Sequence, residues 1–326
     1  MHIPDGYLGP KTCAVLYTAM VPIWYLAARK VQKTLQAKEI PLLALGAAFT
    51  FVIMMFNIPI PGGSTGHMVG AVVVASVLGP WTGVVALSLS LTIQALLFGD
   101  GGITTLGANC FNLAFLMPFT GYYVYQIIAA GNTGQKRRWV ALFLAGYISI
   151  NIAAIAVAIE LGIQPMIASG PDGKPLYAPY PLTVTIPGML FTHLLFFGPV
   201  EAIGTAMVVS YIFKVNESLL YKPTTNPLKP LWIGLAILII LTPLGLLAQG
   251  TAWGEGASEE LLAFLGYIPE GLKRLEGLWD SLMPDYNLPG WDGPVESAFG
   301  YIISAAIGSG IIVLTIYLVG RVWKKG

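Results

Sequence analysis

The chain of 326 residues contains only three histidines, His2, His67 and His193. His2 directly follows Met1, and that pair is a ready-made nitrogen chelate. The Met1 amine, the His2 amide nitrogen once deprotonated, and the His2 imidazole can close two fused rings on one ion. The ring through amine and amide is five-membered, and the ring through amide and Nδ1 is six-membered. A fourth nitrogen, from His67 or His193, completes a square plane, which suits Ni(II) or Cu(II) ahead of Zn(II) or Mg(II). Because His2 is bulky, the initiator Met1 is expected to stay. The alternative is a solvated terminal histidine without a role, and its surroundings decide between the two.

Other residues carry chemistry more ambiguously. His193 lies about ten residues into an apolar run, and Glu201 follows eight positions later on the same helical face. Ionisable groups at such depth face the inside of a bundle. They could form a proton relay or a metal path, or each could be hydrogen-bonded to a partner on another helix. Asn109 and Asn112 follow Gly99-Asp100-Gly101-Gly102 and either orient the outer loops behind the ligands or bond neighbouring backbone. Gly62-Gly63-Ser64-Thr65-Gly66 formally matches a serine-nucleophile elbow, with His193 as the base of an intramembrane serine hydrolase. That motif needs a strand-to-helix turn, whereas here the serine sits in a proline-containing loop. His193 is also roughly 15 Å deeper, at 1.5 Å per residue. Gly170-Pro171-Asp172-Gly173-Lys174 is too short for a phosphate-binding loop, and no H-E-x-x-H occurs. No catalytic cofactor is expected.

The elements that position these residues are membrane helices. The chain is 56% hydrophobic and 10% charged, with mean hydropathy +0.73, against roughly 25% charged residues in a soluble domain. Nothing suggests nucleic acid. Cys13 and Cys110 sit in apolar surroundings and read as buried free thiols. Apolar runs predict an all-α integral membrane protein with nine crossings, at about 12–28, 41–58, 67–79, 82–98, 103–129, 139–160, 183–213, 230–248 and 298–320. The first run lacks a basic segment ahead of it and reads as a retained helix. The third is short and ends at Gly79-Pro80, an interruption of the kind that marks binding regions in transporters.

Cations cluster after the first, fifth, seventh and ninth crossings, at Arg29 to Lys38, Lys136 to Arg138, Lys214 to Lys229 and Arg321 to Lys325. Those loops are therefore expected in the cytoplasm, with the N-terminus outside and the C-terminus inside. This puts Met1, His2 and the loop from Pro59 to His67 on one outer face, where the glycines before His67 allow close backbone approach. Two parts are expected. Residues 1–222 form a seven-helix capture core. After the linker Lys222-Pro223-Thr224-Thr225-Asn226-Pro227, residues 223–326 form a two-helix C-terminal hairpin with an outer loop at about 249–297. That loop carries nine acids, Glu255, Glu259, Glu260, Glu270, Glu276, Asp280, Asp285, Asp292 and Glu296, against Lys273 and Arg274. It reads as a solvated acidic surface, as a surface that attracts cations, or as both.

Met1-His2-Ile3-Pro4-Asp5-Gly6-Tyr7-Leu8, Gly63-Ser64-Thr65-Gly66-His67, Leu106-Gly107-Ala108-Asn109-Cys110-Phe111-Asn112, and His193 with Glu201-Ala202 together resemble the NikM/CbiM family. Its members are the metal-capture membrane components of energy-coupling-factor nickel and cobalt importers. The resemblance covers the first 215 residues in order, with Tyr7 where the family usually has Phe. The C-terminal part resembles the fused accessory module of Pro-Asp-Gly-Leu-Glu type. Its nearest string is Pro269-Glu270-Gly271-Leu272-Lys273, so the assignment rests on layout as much as on motif. The resemblance implies that Met1, His2 and His67 bind the metal. It also implies a multi-pass protein of a prokaryotic plasma membrane, working with a transmembrane coupling protein and two cytoplasmic ATPase subunits. On this reading the chain captures Ni2+, with Co2+ second, and is not itself an enzyme. The competing class is a proton-coupled secondary metal transporter that uses His193 and Glu201.

Overall fold

The structure is a computed structural model that describes residues 1–61, 64–130, 134–215, 228–248 and 250–325. The expected linker 222–227, the 222/223 boundary and Gly62-Gly63 lie outside the described residues. The described residues are mostly helical, with a two-stranded antiparallel pair of β1 (Ile58–Ile60) and β2 (Ser64–Gly66). Among the described residues, seven helical segments are long and apolar enough to cross a bilayer. They are Pro10–Thr34, Ala37–Met54, Pro80–Phe98, Gln135–Ile167, Leu182–Lys214, Lys229–Leu247 and Pro294–Trp323. Several open on proline, whose missing N–H costs nothing in a first turn: Pro10 begins α1 (Pro10–Thr34), Pro80 begins α4 (Pro80–Ile93) and Pro294 begins the last helix. Large apolar side chains such as Ile127, Phe191, Met207 and Ile240 point away from the bundle, where lipid is their solvent.

The two remaining expected crossings differ from simple spans. Leu106–Ala129 is built from α5 (Leu106–Asn109), a π-helical stretch (Cys110–Leu116) and α6 (Met117–Ala129); it is long enough, but polar at Asn109, Asn112 and its tyrosines. The expected helix 67–79 is helical only as α3 (Ala71–Leu78), eight residues long, or about 12 Å at 1.5 Å per residue. Residues 67–70 are not helical, and Gly70 has φ +73°, a left-handed conformation that glycine adopts freely. The third segment is therefore an irregular leg followed by a half-helix. Such backbone is tolerated at membrane depth only where protein satisfies its polar groups.

Glu201 does so. It sits on α10 (Gly198–Val215) and is fully buried. Its carboxylate accepts the Val69 N–H at 2.7 Å and the Gly70 N–H at 3.1 Å, capping the start of α3 where helical N–H groups have no partner of their own. Of the two readings open from the sequence, the structure gives Glu201 a bonded partner on another element.

The outer loop is folded over the core. It contains α12 (Ser258–Leu265), α13 (Glu270–Leu275) and a tight turn at Pro284–Tyr286. Gly271, the glycine of the module string, packs its main chain against Tyr177 and donates its N–H to Leu176 O at 2.7 Å. Further along, Met283 N–H and the Trp279 indole N–H donate to the Leu97 and Leu96 carbonyls at 2.8 and 2.9 Å. Those carbonyls belong to the π-helical turn Gln94–Phe98 that ends α4.

Replacing Glu201 with Ala strands two buried N–H groups at about 1–3 kcal/mol each. The thermal unfolding midpoint in detergent should fall markedly. Glu201→Gln, which keeps one acceptor oxygen, should fall less; equal midpoints in all three proteins would contradict the capping role.

Candidate metal centre

The first five residues are not a free tail. Ile3 is held by both halves of the Asn109 amide, its N–H on Oδ1 at 2.8 Å and its carbonyl on Nδ2 at 3.1 Å. The same carbonyl accepts Thr105 Oγ1 at 2.5 Å and the Gly102 N–H at 2.9 Å. Asp5 accepts the Ile103 and Thr104 N–H groups at 3.1 and 2.7 Å and also the Thr104 hydroxyl. A Cβ on Gly102 would collide with Asp5, so a glycine is needed for this approach. Further on, Gly9 N–H donates to the Gln164 side chain at 3.0 Å.

Anchored this way, His2 is 2% exposed and stacks on His67, which is 8% exposed, with ring centroids 5.0 Å apart and planes 20° apart. His67 enters from β2 and donates Nδ1–H to Met68 O at 3.2 Å. His2 Nδ1 lies 2.8 Å from Asp100 Oδ1. Both Nε2 atoms are buried without a hydrogen-bond partner, a condition that costs about 1–3 kcal/mol each unless a ligand takes the lone pair. Met1 N lies 2.6 Å from Glu255 Oε1, and the His2 main-chain N–H donates to the same oxygen at 2.9 Å. The amine and amide nitrogens thus converge on one point.

Electrostatics keep a nitrogen ready. Burial, helped by the positive chain terminus, holds the His67 imidazole well below the usual histidine range, so it stays neutral. Burial alone would raise Asp100, but the His2 imidazole bonded to it outweighs that, and the Tyr286 hydroxyl donates at 2.5 Å. Its carboxyl is held well below the usual range. Two cavities meet here. A small one of about 20 Å³ is lined by Met1, His67, His193, Trp253 and Glu255, room for one water-sized body. A larger one of about 490 Å³ is lined by His2, His67, Asp100, Glu255 and Glu276 among others.

The structure therefore brings Met1, His2, His67 and Asn109 together. His193 lines the small cavity but turns Nδ1 to Met189 O at 2.8 Å. Asn112 points elsewhere, donating to Glu160 at 2.8 Å within the bundle. No hydrogen bond among the described residues joins His193 to Glu201, so the proton-relay reading lacks a connection. Ser64 Oγ is buried without a hydrogen-bond partner, so no nucleophile–base pair with His193 exists for a hydrolase. Three π-helical turns, Gln94–Phe98, Cys110–Leu116 and His193–Phe197, surround this region; such turns are frequent at functional sites. Gly66 passes so close to the Phe197 ring that a Cβ there would sit 2.5 Å from it.

Two residues were not legible as part of the site. Glu255 was one acid among nine in the outer loop, and Asp100 one residue in a glycine turn. The available signal for Asp100 was its flanking glycines just ahead of Asn109. For Glu255 it was a shared outer face and no more.

The family CbiM, described as a cobalt uptake substrate-specific transmembrane region, matches residues 2–219, and a PDGLE domain matches 229–325. The fused nickel transport protein NikMN of Rhodobacter capsulatus is 45% identical over 98% of this chain and 96% of its own. The probable fused nickel transport protein LarMN of Lactiplantibacillus plantarum is 43% identical over 97% and 96%. A crystal structure of a truncated transition metal transporter matches with TM-score 0.62 at 51% identity, covering 66% of this chain and 99% of that one.

Asn109 touches the chain terminus but no donor nitrogen. Asn109→Ala leaves the Ile3 N–H stranded, and a cost of about 1.4 kcal/mol passed to the bound state is tenfold in affinity. Calorimetry should therefore show nickel binding weakened about tenfold or more, whereas unchanged affinity would separate the anchor from the site.

Proposed function

Because the chain belongs to the CbiM family and carries a PDGLE domain behind it, we propose that it is the metal-capturing membrane component of an energy-coupling-factor importer. At the coarser level it is a multi-pass, non-catalytic component of nickel or cobalt transport. The finer reading is that it takes up Ni2+ in preference to Co2+ through the Met1 amine, the His2 amide and imidazole, and His67. The single observation that carries it is the buried, unpartnered Nε2 of His67, on an imidazole stacked against that of His2, beside an amine and an amide that converge on one oxygen.

Among the described residues no three side chains of His, Cys, Asp and Glu are grouped as metal ligands would be. A chelate that draws its further donors from main-chain nitrogen does not require such a group. In the six-membered ring His2 binds through Nδ1, so loading turns its imidazole from Asp100 toward the ion. Four nitrogen donors favour Ni(II) and reject oxygen-preferring Mg(II) and Ca(II). We place the outer face at the N-terminus, as the loop cations support, and the unit boundary at 222/223, as family matches ending at 219 and resuming at 229 support. A transmembrane coupling protein and two cytoplasmic ATPase subunits supply the energy, and hydrolysis occurs on them.

His67→Ala removes the one side-chain donor outside the terminus. It should abolish tight nickel binding in calorimetry while the thermal midpoint of the unloaded protein stays near wild type. Tight binding in that variant would sink the four-nitrogen site. Protons compete for the same nitrogens. Each one shed on binding adds one unit to the slope of log affinity against pH. The amine and amide must each give up a proton to bind, and His67 adds none because burial already holds it neutral. Affinity should thus rise with pH, and a flat profile would contradict the terminal chelate.

A further inference from the structure

Of the nitrogens that the proposed chelate would use, the three at the chain terminus are already engaged, each by a carboxylate, while His67 Nε2 has no hydrogen-bond partner. Glu255 Oε1 takes the Met1 amine at 2.6 Å and the His2 amide N–H at 2.9 Å; Asp100 Oδ1 takes His2 Nδ1 at 2.8 Å. One oxygen thus stands near the vertex that an ion bound to amine and amide would occupy, since metal–nitrogen bonds of about 2.0–2.1 Å require a nearby position. Glu255 comes from the C-terminal module, 253 residues from His2 in sequence. It is held there by more than its own contacts. Ala252 pairs with Thr65 of β2, and the Tyr7 hydroxyl donates to Gly256 O at 2.5 Å.

Glu255 also lines both cavities. The larger, of about 490 Å³, can hold an ion with six waters, which occupy roughly 180 Å³ at about 30 Å³ each. The smaller, of about 20 Å³, holds one water-sized body. An ion passing from the first to the second must shed its waters beside Glu255, whose side chain remains 21% exposed. Carboxylate oxygen is a good ligand for a hydrated divalent ion, and imidazole and amide nitrogen are better ones for the dehydrated ion.

We propose that Glu255 is an exchange ligand. It keeps the amine and amide converged in the unloaded protein, binds the incoming divalent ion from the large cavity, and passes it to the terminal nitrogens. This rests on the terminal chelate proposed above. In the exchange one metal–water bond breaks as a metal–oxygen bond to Glu255 forms. Metal–nitrogen bonds then form as that metal–oxygen bond and the remaining metal–water bonds break, and the protons those nitrogens carry leave to water in the cavity. Asp100 is the matching holder of the imidazole. The fused module thereby contributes a side chain to the loading of a site whose final ligands all belong to the core.

The test is rapid-mixing kinetics of nickel binding to the full chain with its native Met1 amine, followed by the absorption of the nickel–nitrogen complex, beside equilibrium titration. The proteins are wild type, Glu255→Gln, Glu255→Ala and Glu259→Gln, the last an exposed acid of the same loop that lines neither cavity. Both Glu255 variants should associate at least tenfold more slowly, with dissociation constants within about threefold of wild type, and the deficit should persist in 0.5 M salt, which screens general attraction. Glu259→Gln should associate as wild type does. Wild-type association rates in Glu255→Gln, or an equal slowing in Glu259→Gln that vanishes in salt, would overturn the exchange role and leave the chelate standing. Failure of the wild-type protein to bind nickel would instead overturn the chelate and this inference with it.

Discussion

The clamp on Ile3 is the constraint on which the rest depends. A chain terminus pushed into a membrane bundle brings peptide groups that lipid and packed side chains cannot solvate. Here those groups are answered one by one: Asn109 takes both sides of Ile3, Thr105 and Gly102 share its carbonyl, and Asp5 caps the turn that leads to α5. With Ile3 fixed, His2 has nowhere to go but against His67. A site that uses main-chain nitrogen needs this more than a side-chain site does, because the backbone itself must be held in register.

The opposite wall is built on the same principle. His67 precedes a half-helix, and of the three residues that separate it from α3, Val69 and Gly70 would have unsatisfied N–H groups in a bilayer without Glu201. The buried carboxylate is thus spent on architecture, and it positions the second imidazole by holding Gly70, 131 residues away in sequence. The π-helical turns of α4, of the Leu106–Ala129 helix and at His193 each widen a helix where it faces this region. They free carbonyls at the end of α4 that Trp279 and Met283 of the C-terminal module then take.

Composition and apolar runs were enough to read an all-α membrane protein, and His2 and His67, singled out by residue type, are brought together by the fold. The reading was weakest where a long-range contact overrides a local pattern. Val69 and Gly70 continue an apolar run and look helical in sequence, yet a glutamate on another helix holds their N–H groups out of the ladder. The acidic loop looked uniform, because nothing in the spacing of its nine acids distinguishes Glu255, which meets Met1 and His2, from exposed Glu259 or Asp280. Its folded form depends on Gly271 meeting Tyr177 and on Tyr286 stacking over Phe98 at 4.9 Å, contacts with partners more than 90 residues away. Asn109 and Asn112 are three positions apart with the same amide chemistry. Only the fold separates them, one against the terminus and the other against Glu160.

The most direct measurement is nickel titration of the protein with its native Met1 amine, beside the same protein carrying one extra residue before Met1. The added peptide bond converts the amine into an amide and moves the terminal charge away from Glu255, while the rest of the fold is left alone. If the terminus is a ligand, tight binding is lost in the extended protein and kept in the native one. Equal affinity in the two would contradict a terminal chelate and would move the site to the side chains that line the small cavity.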